Sequence, residues 1–102
     1  MNFTNRTIVV TGGASGIGKS IARKFGLSGF KVCIGDIEEQ PLVDTLRTFR
    51  DEGIEAYGQL TDVSDETSMN EFSDYISSEV GPPGVVCLNA GVGAGGPMGQ
   101  IN

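Results

Sequence analysis

The sequence has no histidine, only two cysteines, and only seven lysines and arginines against thirteen acidic residues. Each shortage excludes something. Without histidine the chain lacks the commonest general base near neutral pH and the commonest metal ligand, so no metal is expected. With a net charge of −6 it has no basic stripe to neutralise phosphates, and neither nucleic acid nor an anionic membrane is an expected partner. No apolar run is long enough to span a bilayer, and no charged-then-apolar leader follows Met1, so a cytoplasmic location is expected. Cys33 and Cys87 lie far apart in apolar runs and are expected to be buried thiols in a reduced compartment, not a disulfide, redox pair or metal site. At 102 residues the chain is one small domain at most.

Glycine, by contrast, is abundant, and the chain is organised around the glycine-rich stretch Thr11–Ser20, TGGASGIGKS. A β-branched run, Thr7-Ile8-Val9-Val10, precedes it, and Ile17, Ile21, Ala22 and Phe25 follow on one helical face. Strand, glycine turn and helix together turn a glycine pattern into a phosphate-site hypothesis; without that context the glycines are only a turn. Glycine admits positive φ and close backbone approach to a ligand, while a helix N-terminus offers free N–H groups to an anion. Two patterns overlap here. Gly13–Ser20, GASGIGKS, satisfies the P-loop pattern, with Lys19 on phosphates and Ser20 on Mg²⁺. Gly12, Gly16 and Gly18 alternatively form a dinucleotide turn, G-x-x-x-G-x-G.

The remainder alternates apolar strands with helical patterns. Thr7–Val10 is the first strand, followed by a helix from about Gly16 to Ser28 that Gly29 stops. Phe30–Gly35 is the second strand, and Pro41 opens a helix that ends at Gly53. Ile54–Leu60 is a weaker third strand, and Ser64 or Asp65 caps a helix bearing Met69, Phe72, Ile76 and Val80. The breaker Gly81-Pro82-Pro83-Gly84 leads to a fourth strand, Val85–Leu88. Such alternation predicts an α/β fold, a doubly wound parallel sheet in order 3-2-1-4. Residues 1–90 are expected to form this partial nucleotide-binding domain, and 91–102 a glycine-rich tail.

Asp36 ends the second strand, where a carboxylate accepts hydrogen bonds from ribose hydroxyls and repels a 2′-phosphate. A capping or solvated aspartate beside Glu38 and Glu39 is the plain alternative. With no Arg or Lys next to Asp36, NAD is expected over NADP. Asp62-Val63 ends the third strand, where it could meet an adenine or simply cap the next helix. Asn89-Ala90-Gly91 ends the fourth strand beside the switch point of the sheet.

Together, TGGASGIG at Thr11–Gly18, Asp36, Asp62-Val63 and LNAG at Leu88–Gly91 resemble the short-chain dehydrogenase/reductase family. The resemblance implies a Rossmann-type fold and an NAD(P) cofactor. It implies that Thr11, Gly12, Ser15, Gly16, Ile17 and Gly18 wrap the diphosphate and that Asp36 takes the ribose. It further implies that Asp62 and Val63 hold the adenine, and that Asn89, Ala90 and Gly91 support the sheet and the nicotinamide side. Ser15 stands where NADP-preferring members often carry a basic residue. Leu88 replaces the first Asn of the frequent NNAG form.

One departure is large. The family donates its proton through a Tyr with a Lys four residues on, beside a Ser. Here Tyr57 and Tyr75 are followed four residues on by Thr61 and Glu79, so no catalytic residue is expected in this chain. The expectation is the cofactor-binding portion of an enzyme exchanging hydride between NAD and an alcohol or ketone. A non-catalytic nucleotide-binding module and the P-loop phosphotransferase remain as alternatives. One helix for the second sheet face, and an apolar fourth strand on an edge, further predict self-association through the uncovered face and edge.

Overall fold

The computed structural model describes residues 6–14 and 16–89. Ser15, Ala90, Gly91 and the expected 91–102 tail therefore lie outside the described residues. The elements run β1 (Thr7–Thr11), α1 (Gly16–Leu27), β2 (Lys31–Asp36), α2 (Glu39–Asp51), β3 (Ala56–Leu60) and α3 (Glu66–Tyr75). A single π-helical turn, Ile76–Val80, and β4 (Val85–Leu88) follow. The four strands are all parallel, in order β3-β2-β1-β4, so the first strand is central as the alternation predicted.

β1 is buried along its whole length because it has a strand on either side and helices on both faces. Side chains alternate across the sheet. Ile8, Val10, Val32, Ile34 and Ala56 point to one face and form the larger core with Ala22 of α1 and Leu42 and Phe49 of α2. Val9 and Cys33 point to the other, where Phe72 of α3 and Val80 cover them. The first two crossovers thus share a face and the third takes the opposite one. In β4, Val85 and Cys87 pack toward the α1–α2 core. Val86 and Leu88 therefore point to the α3 face, and there they are 55% and 74% exposed. Among the described residues that face carries α3 and the π turn, which leave these two side chains open.

Both α1 and α2 end in the same device. Gly29 and Gly53 take positive φ, 100° and 86°, and each is followed by an apolar residue that turns back into the core. Phe30 N–H bonds to Phe25 O at 3.1 Å and Gly29 N–H to Gly26 O at 3.0 Å. Ile54 N–H bonds to Phe49 O at 2.9 Å and Gly53 N–H to Arg50 O at 3.0 Å. These are Schellman ends. The first is completed by an edge-on ring contact of Phe25 with Phe30, centroids 5.1 Å apart. The motif ends each helix and aims the chain at the next strand.

β1, α1 and β2 fall within one residue of the sequence reading at each end, and three boundaries differ by two residues or more. α2 starts at Glu39, two residues before Pro41, which still lies in the first turn where its missing N–H costs nothing. β3 starts at Ala56, not Ile54, because Ile54 belongs to the Schellman end of α2. The third helix is not uniform to Val80: its last five residues form a π turn closed by Gly81 N–H on Ile76 O at 2.7 Å. Cys33 is buried and Cys87 half-buried, on opposite faces with β1 between their strands, so the two thiols cannot pair.

Candidate functional site

The carboxyl ends of the strands carry the site. At the end of β1 the chain turns through Gly12, at φ 66°, whose N–H donates to Gly35 O of β2 at 2.7 Å. α1 then opens at Gly16, at φ 57°, with no acidic residue in its first turn. A Cβ built on Gly16 would meet nothing within 4 Å. The space beside the turn is therefore open, and glycine is needed there for conformation, not for room. Gly18 is the opposite case: its Cβ would lie 2.3 Å from Gly12 O and 2.7 Å from Asn89 Nδ2. The first turn of α1 rests directly on the glycine turn.

Asn89, just past β4, ties that outer strand to the central β1. Its N–H donates to Thr11 Oγ1 at 3.0 Å, the Thr11 hydroxyl donates to Asn89 O at 3.3 Å, and Asn89 Nδ2 donates to Gly12 O at 3.3 Å. Asp36 does the same from the other side. The Asp36 residue is 9% exposed, with Oδ2 accepting Ala14 N–H at 3.0 Å and Oδ1 accepting Glu38 N–H at 3.1 Å. A carboxylate has about four acceptor sites, so two remain for a ligand. The expected ribose-binding residue thus also holds the glycine turn.

Asp62 lies beyond β3 and turns toward α3. Its Oδ1 accepts both the hydroxyl (2.6 Å) and the N–H (2.9 Å) of Ser64, which hold its carboxyl below the ordinary range. Asp62 N–H donates to Ser68 Oγ at 2.8 Å, a backbone contact that ties the end of β3 to the first turn of α3, whose N-cap is Asp65. Val63 beside it is half-exposed. Around this end of the sheet, Ile17, Ile37, Leu60, Val63 and Leu88 are all exposed apolar side chains. An apolar rim around a polar turn can take the rings and the phosphates of a dinucleotide.

Thr11, Gly12, Gly16, Ile17, Gly18, Asp36 and Asn89 gather at one end of the fold, with Asp62 and Val63 at its β3 side. Ser15, Ala90 and Gly91 lie outside the described residues. The sequence reading missed Thr45 of α2, whose hydroxyl donates to Ala14 O at 3.2 Å. Its signal was a threonine on the apolar face between Leu42 and Phe49. Ile37, directly after Asp36, was also missed.

Neither tyrosine sits in the site. Tyr57 of β3 donates its hydroxyl to Glu55 Oε2, which raises its pKa, the reverse of what a proton donor needs. Tyr75 ends α3 and its pKa is also raised, chiefly by burial. Lys19 contributes to lowering the Glu52 carboxyl, behind the hydrogen bond from Arg23. Among the described residues no group of three or more His, Cys, Asp or Glu could hold a metal, and no helix is long and apolar enough to cross a membrane.

Comparison with known proteins agrees with this geometry. The family described as short chain dehydrogenase matches residues 6–102. Over 90 residues the chain is 42% identical to cis-4-hydroxycyclohexanecarboxylate dehydrogenase of Sinomonas cyclohexanicum, covering 88% of this chain and 36% of that protein. A crystal structure of a short chain dehydrogenase/reductase from Burkholderia phymatum in complex with NAD is 30% identical, with TM-score 0.79 over 84% of this chain and 31% of that one. Actinorhodin polyketide ketoreductase with NADPH is 34% identical, with TM-score 0.84 over 91% and 36%. The chain spans only 16% to 38% of the length of the curated relatives it matches.

Proposed function

This chain belongs to the short chain dehydrogenase family, and from that premise we propose that it is the NAD-binding portion of an oxidoreductase. The whole protein exchanges hydride between NAD and a small alcohol or ketone. Residues 1–90 form the dinucleotide domain, 91–102 the glycine-rich segment leading out of it. The Ser, Tyr and Lys that complete the chemistry come from a portion outside this sequence. The protein works in the cytoplasm, in keeping with its two thiols on opposite sheet faces.

One observation carries this reading: the turn at Gly12–Gly18 and the Asp36 carboxylate are joined through Ala14 N–H at 3.0 Å, at the same end of the sheet. A glycine turn alone would bind many phosphates. Joined to a nearly buried carboxylate, it suits a diphosphate linked to a ribose with free hydroxyls. The open space at Gly16 and the first-turn N–H groups of α1 fit the diphosphate. Asp36 accepts from the ribose, while Val63 and Ile37 offer apolar contact to the adenine. A bound nicotinamide supplies the hydride chemistry; these residues bind and orient it. Asp36 disfavours a 2′-phosphate by like charge in a nearly buried position, which favours NAD over NADP.

The test is a pair of titrations, NADH and NADPH, followed by cofactor fluorescence. NADH is expected to bind more tightly, and Asp36→Ala to weaken it about tenfold or more while NADPH loses less. Equal affinities, unaltered by Asp36→Ala, would refute the assignment. Saturable NADH binding by an assembly that includes every portion of the protein, with no turnover of any alcohol or ketone, would favour the non-catalytic module instead. The exposed Val86 and Leu88 face, and the edge of β4 that pairs with no other strand among the described residues, are in the same reading the surface through which this chain associates.

A further inference from the structure

We propose that Thr45, on the buried face of α2, is a positioning residue for the dinucleotide: its hydroxyl fixes the glycine turn in the form that receives the diphosphate. The inference rests on the dinucleotide reading above. Thr45 is 1% exposed and lies three residues after Leu42 and four before Phe49, on the face that enters the main core. Packing alone would place valine there, which has the same shape and no polar atom to satisfy. Threonine is also an indifferent helix former. Its hydroxyl crosses to a residue 31 positions earlier and donates to Ala14 O at 3.2 Å.

Ala14 is thereby held at three points. Its side chain is buried in the core, its N–H donates to Asp36 Oδ2, and its carbonyl accepts from Thr45. With its side chain, N–H and carbonyl all held, Ala14 is fixed midway between the two positive-φ glycines, Gly12 and Gly16. A turn clamped in advance need not be ordered when the cofactor arrives, and the saving appears as affinity. Because Asp36 grips the same residue from β2, ribose recognition and turn geometry are coupled through one alanine.

Thr45→Val removes the hydroxyl and keeps the volume; Thr45→Ser keeps the hydroxyl. In the 102-residue chain, Thr45→Val is expected to weaken NADH binding about tenfold, the weight of one buried hydrogen bond. Thr45→Ser is expected to stay within about twofold of the parent. Leu42→Ala, a cavity in the same helix face where the side chain reaches Gly58 of β3, should lower the melting temperature with NADH affinity unchanged. Parental affinity in Thr45→Val, or affinity losses that follow melting temperature across all three variants, would overturn the proposal. Exchange of the Ala14 amide, followed by NMR, separates this from the cofactor reading. If the parent binds no NADH at all, the dinucleotide reading fails and so does a role in binding it. The clamp itself then stands if the Ala14 amide is protected in the parent and exchanges faster in Thr45→Val, and falls if it is unprotected.

Discussion

Gly18→Ala is a perturbation whose cost follows from distances in the structure. The added methyl would sit 2.3 Å from the Gly12 carbonyl oxygen, about 1.1 Å inside the 3.4 Å at which ordinary contact begins. It would also sit 2.7 Å from Asn89 Nδ2, in the path of the Asn89–Gly12 hydrogen bond. Neither neighbour gives way easily. Gly12 is pinned by its own N–H on Gly35 O at 2.7 Å, and Asn89 by its exchange with Thr11. Forcing atoms into such a site costs roughly 1–3 kcal/mol, and the lost hydrogen bond adds about 1 kcal/mol. Alanine returns about 0.5–1 kcal/mol of helix propensity, leaving a net loss of roughly 1–3.5 kcal/mol. For a chain of this size that lowers the melting temperature by roughly 4–28 °C. The control is Gly16→Ala, whose methyl meets nothing and whose cost is about 1–2 kcal/mol of left-handed backbone strain. Circular-dichroism melts of the two variants should rank Gly18→Ala as the more damaging. NADH affinity should fall in Gly16→Ala as well, because its methyl enters the open space beside the turn. A Gly18→Ala chain that melts within about 2 °C of the parent, or above Gly16→Ala, would refute the packing argument.

Burial pushes the Cys33 thiol up to about 12 from 9.0. Its neutral form is thus favoured by folding, a contribution complete below pH 9 and lost progressively as pH rises toward 12. Urea midpoints should then reveal about 1.4 kcal/mol less stability at pH 10 than at pH 8 from this group; Cys33→Ala should remove that increment, and an unchanged pH dependence would contradict it. Lys19→Ala should alter NADH affinity by no more than about twofold, as one screened surface charge does. Abolished nucleotide binding there would revive the P-loop reading. Leu88→Lys, on the face α3 leaves open, should lower the sedimentation-velocity mass of the chain toward that of a monomer; an unchanged mass distribution would exclude that surface.

Much of this architecture was legible because its determinants are local. Gly29 and Gly53 stop helices by backbone conformation alone, and the run Thr7–Val10 is apolar at almost every position, as a strand covered on both faces must be. Those signals mark the elements; the strand order comes from the handedness of crossovers and the doubly wound pattern with the first strand central. Asp36 and Asn89 were legible as strand ends, but not as the two groups that brace the glycine turn. Bracing depends on contacts 22 and 77 residues apart that only the closed sheet creates. Thr45 was hidden for the same reason, since a threonine in an amphipathic pattern reads as a tolerated exception. Ile54 opens the expected third strand, yet its N–H is taken by Phe49 O at 2.9 Å in the end of α2. Periodicity likewise could not show the π turn, where the face bearing Ile76 and Val80 persists while the hydrogen bonding shifts by one residue.

The central claim, a dinucleotide site built on the glycine turn, is tested most directly by following the backbone amides of the ¹⁵N-labelled chain during an NADH titration. The largest saturable shifts are expected at Gly12, Ala14, Gly16, Gly18, Asp36 and Asn89. The amino-terminal end of the sheet serves as the internal reference, since Thr7, Gly29 and Lys31 line a pocket of about 360 Å³ there and should stay silent. Shifts centred on that pocket, or no saturable shift in a well-dispersed spectrum, would contradict the assignment.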